Sequence, residues 1–215
     1  MRSELFKAFL SSLVCVYATP VPTQRGLVQI TPEQILKIAP SSNSCPSPPG
    51  ECATNTQAAP FLNEAMSKYQ ISSLGEKASI LALIAFESGD FKYNTNHFPA
   101  PGRPGQGTRN MQTAPFNLQY VKSIPELASK NTHTSVDGLS PSELNEIRAL
   151  VLPDKYSWAS AAWYLTSQTT CSSARKYLQT GSDEGFNAHM KCVGISSVGS
   201  DRLSYWQAAK TALRV

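Results

Sequence analysis

The sequence predicts a mainly α fold with a minor β element, and three observations carry that reading. Helix-start signatures recur at Thr31-Pro32-Glu33-Gln34, Ser73-Leu74-Gly75-Glu76 and Ser140-Pro141-Ser142-Glu143. In each, a hydroxyl N-cap is followed three residues later by Gln or Glu, which can reach back to the cap's own N–H. The stretch Lys77 to Glu87 (KASILALIAFE) is apolar on every face, as a helix buried all round must be. The C-terminal third then repeats apolar residues at helical spacing.

At 215 residues, 41% apolar and 16% charged, the chain has the composition of one well-filled globular domain. Residues 1–18 are expected to be a signal peptide: Arg2 and Lys7 border a short apolar stretch that closes on Val16-Tyr17-Ala18, a pattern suited to signal-peptidase cleavage. The product is expected to be secreted and extracellular, with no membrane-spanning segment. Residues 19–72 read as an N-terminal arm with helices packed on the core, and residues 73–215 as the core.

Taken in order, Thr31 caps a short helix to about Ala39, and SSNSCPSPPGECATNT is a Pro- and Ser-rich connection before a second helix, Ala58 to Tyr69. Ser73 opens the buried helix. From Phe91 to Ile124 the pattern is lost, with strand-like pieces expected at Phe91 to Asn94 and Phe116 to Val121. An irregular stretch of that length inside a compact domain is more often functional than decorative. Helices are expected from Ser140 to Leu150, around Trp158, Ala162 and Leu165, and over Ser172 to Gln179, Asp183 to Val193 and Asp201 to Leu213.

Of five cysteines, Cys15 lies in the expected signal peptide, and Cys45, Cys52, Cys171 and Cys192 suit two disulfides in an oxidising compartment. Pairing by proximity, Cys45 with Cys52 and Cys171 with Cys192, is preferred among the three possible pairings. His189 and Cys192 lack a matching ligand pair, so no metal and no cofactor is expected. The excess of 19 basic over 15 acidic residues is ordinary solubilising charge, and no nucleic acid is expected as a partner. The chain is expected to be a monomer.

Glu87 stands at the C-terminal end of the buried helix, behind Ile84, Ala85 and Phe86. Desolvation and the negative end of the helix dipole both disfavour its ionised form. A carboxyl held neutral is what general acid catalysis requires. A glutamate before a serine-glycine helix stop is also ordinary capping chemistry.

Residues ALIAFESGDF, then GQGTRNMQ, FNLQY and ASAAWYL, resemble the ordered motifs of the lysozyme superfamily: soluble lytic transglycosylases, goose-type lysozymes and, with a related order, family 19 chitinases. The resemblance covers about Ser73 to Gln168. It implies a lysozyme-like core in a secreted fungal glycoside hydrolase, cutting β-1,4 bonds between N-acetylated hexosamines. Peptidoglycan is the preferred polysaccharide substrate (a muramidase) and chitin the alternative. Carried over by motif, Glu87 would be the general acid, Gln112 would line the cleft, Tyr164 would approach Glu87, and Asn117 and Tyr120 would contact sugar. The central segment lacks a second acid, so Asp90, or failing that Asp137, is the candidate second carboxylate. Asn94, Asn96 and Asn110 offer hydrogen-bonding groups for substrate. A non-catalytic wall-binding or effector protein is the reading from another class.

Overall fold

The computed structural model describes residues 28–215; the expected signal peptide lies outside them. Within that range the chain is mainly helical. Helix α1 (Pro32–Ile38) starts at a closed capping box on Thr31, and α2 (Asn55–Lys68) at a second one on Thr54. Helix α3 (Leu74–Glu87) starts at Ser73, whose hydroxyl accepts from the Glu76 N–H. Here the expected reciprocal box is replaced: the Glu76 carboxylate takes the Ser73 hydroxyl proton at 3.0 Å and the Arg175 Nε–H at 2.7 Å. The cap thereby becomes a tie to a distant helix.

Every residue of α3 from Gly75 to Ala85 is buried, as its all-round apolar composition requires. Even Lys77 is enclosed, with its Nζ donating to the Val28 carbonyl. Around α3 pack α1, α8 (Ser160–Ser167), α9 (Ser172–Leu178) and α11 (Ser200–Leu213), while α10 (Asp183–Cys192) packs on α9. On the far side α4 (Ala114–Ser123) leads through the one-turn α5 (Pro125–Ala128) to α6 (Pro141–Val151), which packs on α4, and to the one-turn α7 (Asp154–Ser157). Trp158 and Trp163 are both buried.

The strand-like pieces are not strands. Phe116 to Val121 lies inside α4, where Asn117, Leu118, Tyr120 and Val121 are the buried positions, a spacing of one helical face. Pro115 in the first turn, with its fixed φ, favours that outcome. Among the described residues the β component reduces to two isolated bridges, Thr95 with Gly107 and Gly107 with Gln112. Gly107 has no room for a side chain, since a Cβ there would stand 2.7 Å from the Asn94 carbonyl oxygen.

Disulfides join Cys45 to Cys52 and Cys171 to Cys192. The second ties the start of α9 to the end of α10 and fits an oxidising compartment. No helix among the described residues is long and apolar enough to cross a membrane.

Candidate functional site

Where α3 ends, the chain encloses a cavity of about 160 Å³ lined by Glu87, Gln106, Asn110, Gln112, Tyr164 and the apolar side chains of Leu83, Met111, Phe116, Val193 and Ile195. Five parts of the chain meet here: the end of α3, the irregular loop, the first turn of α4, α8, and the turn after α10. The helix stops because Ser88 folds its hydroxyl onto the Ile84 carbonyl at 2.6 Å and then accepts the Phe91 N–H. Gly89, Asp90 and Phe91 follow with positive φ of 57°, 55° and 71°. Met111, which lines the cavity, and Thr108 in the same loop have φ of 49° and 65°. Left-handed backbone at Phe, Thr and Met costs energy, and strain of this kind concentrates at ligand sites.

The carboxylate of Glu87 is split between two environments. Its Oε1 accepts a 2.6 Å hydrogen bond from Arg202 on α11, whose guanidinium also lies 4.0 Å from the centre of the Phe86 ring. Its Oε2 has no hydrogen-bond partner among the described residues, and the residue lines the cavity. Burial pushes the Glu87 pKa up, and the Arg202 charge and hydrogen bond offset only part of that. A protonated Glu87 would therefore carry its proton on Oε2.

The other polar side chains that line the cavity are only partly satisfied. Gln106 donates through Nε2 to the Met111 carbonyl at 2.8 Å, leaving its Oε1 buried without a donor. Gln112 gives its Nε2–H to Asn117 Oδ1 at 2.7 Å and receives only a 3.5 Å contact from Asn110. The Tyr164 hydroxyl has no partner among the described residues, and burial raises its pKa. With a carboxyl, side-chain amides and a tyrosine hydroxyl incompletely bonded, the cavity can take a ligand that brings its own O–H groups.

The residues singled out from sequence are distributed unevenly. Glu87, Asn110, Gln112 and Tyr164 come together on this cavity. Asn117 and Tyr120 do not: Asn117 is enclosed, bonding Gly105 and Gln112, and the Tyr120 hydroxyl donates to the Tyr156 carbonyl. Asn96 accepts from the Arg103 N–H, and Asn94 lines a separate cleft. Asp90 turns away from Glu87, accepting from the Ser41 N–H at 2.9 Å and the Tyr205 hydroxyl at 2.8 Å. Asp137 pairs within its own turn with Ser135. Cys45, Cys52, Cys171 and Cys192 are all in disulfides, outside the cavity. Sequence reading missed Gln106 and Arg202. A glutamine in a turn carries no signal, and an arginine more than a hundred residues from Glu87 can be matched to it only by the fold.

Compared with known proteins, the chain is 48% identical over 159 residues to a bifunctional dioxygenase–epoxy alcohol synthase of Fusarium oxysporum, an alignment that covers 73% of this chain and 12% of that protein. No protein-family model matches, and no solved structure matches.

These findings overturn the lysozyme-superfamily reading. The relative is named for oxidative activities, and nothing in the comparisons supports a muramidase, a chitinase, another glycoside hydrolase, a wall-binding protein or a polysaccharide partner. The physical reasons lie in the motifs themselves. The Glu-Ser ending is accounted for by the Ser88 cap, the asparagine and tyrosine of FNLQY are spent on internal hydrogen bonds, and Asp90 faces away from Glu87. Short motifs in order thus matched what the helix stop and the packing require.

The relative's name raises the question of a metal. Among the described residues no three His, Cys, Asp or Glu side chains gather as a metal-holding group. His97 bonds Glu51, and His189 is buried against Ser79. Among the described residues this donor set does not fit a metal centre held by three or more such side chains.

Proposed function

We propose that the chain is an exported helical ligand-binding domain whose site is the Glu87 cavity, and that its ligand is a small oxygenated molecule bearing hydroxyl groups. The observation that carries this reading is that Glu87, with only one carboxylate oxygen bonded, and Gln106, whose buried Oε1 has no donor, line the same cavity of about 160 Å³. A hydroxyl that donates to Glu87 and a neighbouring one that donates to Gln106 would satisfy both. The cavity's apolar side, Leu83, Phe116 and Ile195, would take the carbon skeleton. The two disulfides support the export reading.

The relative's name includes an epoxy alcohol, a hydroxyl-bearing oxygenated molecule. The matched segment is 12% of that protein, so the activities in its name are not carried over to this chain.

Titration with propane-1,2-diol, followed by protein NMR, tests the reading. Saturable shifts at Glu87 and Gln106, weakened roughly tenfold or more by Glu87→Gln, are expected for loss of a charge-assisted hydrogen bond. Absence of any saturable response at these residues would refute it. Dioxygen uptake by the purified chain would show instead that it carries out oxidative chemistry itself.

A further inference from the structure

A second cleft, of about 460 Å³, opens on the other side of the irregular loop, lined among others by Glu51, Gln57, Asn94, Arg109 and Asp154. Arg109 is its unusual member. The side chain is 2% exposed, yet no carboxylate of the described residues forms an ion pair with it. Its Nη1 donates to the carbonyls of Phe91 at 2.9 Å and Tyr93 at 3.1 Å, and the guanidinium lies 4.4 Å from the centre of the Trp158 ring. Its Nε is buried without a partner, and its Nη2 has none among the described residues.

A guanidinium taken out of water without a bound anion is expensive. The loss is visible in its pKa, which burial pushes down to about 10 while Asp154 and Glu51 act against that from farther off. Glu51 is not free to turn toward it. One oxygen accepts the N–H groups of Asn94 at 2.8 Å and Thr95 at 3.0 Å, the other the Thr95 hydroxyl and His97. Asp154 spends Oδ1 on the Trp158 indole N–H at 2.9 Å, and its other oxygen has no partner among the described residues. Arg109 and Asp154 thus line one cleft, the first with its Nη2 unspent and the second with one carboxylate oxygen unspent.

We propose that this cleft binds a free α-amino acid, its carboxylate on Arg109 and its ammonium group on Asp154. A simple carboxylate would meet repulsion from Asp154, and a simple ammonium repulsion from Arg109; the zwitterion matches both charges. A role limited to pinning the loop would use Nη1 alone, since both of the carbonyls that Arg109 holds are bonded there. The site is independent of the Glu87 cavity, so either can fail without the other.

The test follows the Arg109 Nε–H resonance of the full chain during titration with L-alanine, acetate or methylammonium. L-Alanine should shift it saturably, with an affinity roughly tenfold or more above that of either single-charge probe. Asp154→Asn should remove most of that preference by weakening alanine without weakening acetate, and Glu87→Gln should leave alanine binding unchanged. No saturable shift with alanine, or equal affinity for acetate, would overturn the proposal. The wild-type comparison decides the matter even if Asp154→Asn fails to fold.

Discussion

Arg202 donates to Glu87 Oε1 at 2.6 Å while its guanidinium lies 4.0 Å from the centre of the adjacent Phe86 ring. This contact joins α11 to the end of α3 and leaves the other carboxylate oxygen without a partner among the described residues. Arg202→Met should keep the aliphatic packing but remove the charge-assisted bond. Loss of about 1.5–3 kcal/mol of stability is expected, together with a further rise in the Glu87 pKa. Denaturant unfolding and a carboxyl titration check the two effects separately.

The pH dependence of Glu87 has a definite sign. Its folded pKa is raised, so the folded state holds the proton more tightly than the unfolded one, and the contribution to stability falls as pH rises from about 4.5 through the folded value. Glu87→Gln should remove that increment, so the difference in unfolding free energy between wild type and variant should change across that window and be constant below it. For a hydroxyl ligand the direction is opposite: binding favours the ionised acceptor and should tighten as pH rises through the same range.

His189 behaves differently. Fully buried against α3, its Nδ1 stands 2.6 Å from the Ser79 hydroxyl, its Nε2 has no partner, and burial pushes its pKa down to about 4. The folded state holds the neutral ring, and stability is lost as pH falls from about 6.5 toward 4. The loss should be about 3 kcal/mol over that window. His189→Gln, which keeps an amide toward Ser79, should flatten the stability profile there, as urea unfolding at successive pH values would show.

The two disulfides should contribute unequally. Cys171 and Cys192 are 21 residues apart and Cys45 and Cys52 only 7, so chain entropy gives the first the larger effect, about 3 kcal/mol. Replacing Cys171 and Cys192 by alanine should lower Tm by roughly 6–12 °C. The same change at Cys45 and Cys52 should lower it less.

Much of the fold was legible because its signals are local. The Thr31 and Ser140 capping boxes, the all-round apolar α3 and the periodicity of the last helices each follow from neighbours within one turn. Of the stretch expected to be irregular, Phe91 to Thr113 is so, whereas Phe116 to Val121, β-like in composition, lies in a helix that Pro115 in its first turn favours. At the site, the position of Glu87 predicted an enclosed carboxyl with a raised pKa, whereas the direction of Asp90 depends on Tyr205, 115 residues away. The hydrolase reading failed at the same point: a few motif residues can be fixed by capping and packing alone.

The most direct test of the account is the ¹³C resonance of the Glu87 carboxyl, followed against pH with and without propane-1,2-diol. A titration midpoint above 4.5, moved downward saturably by the diol, is the predicted result. A midpoint at or below 4.5 that ignores the diol would contradict the claim that this carboxyl is the ligand-facing centre of the protein.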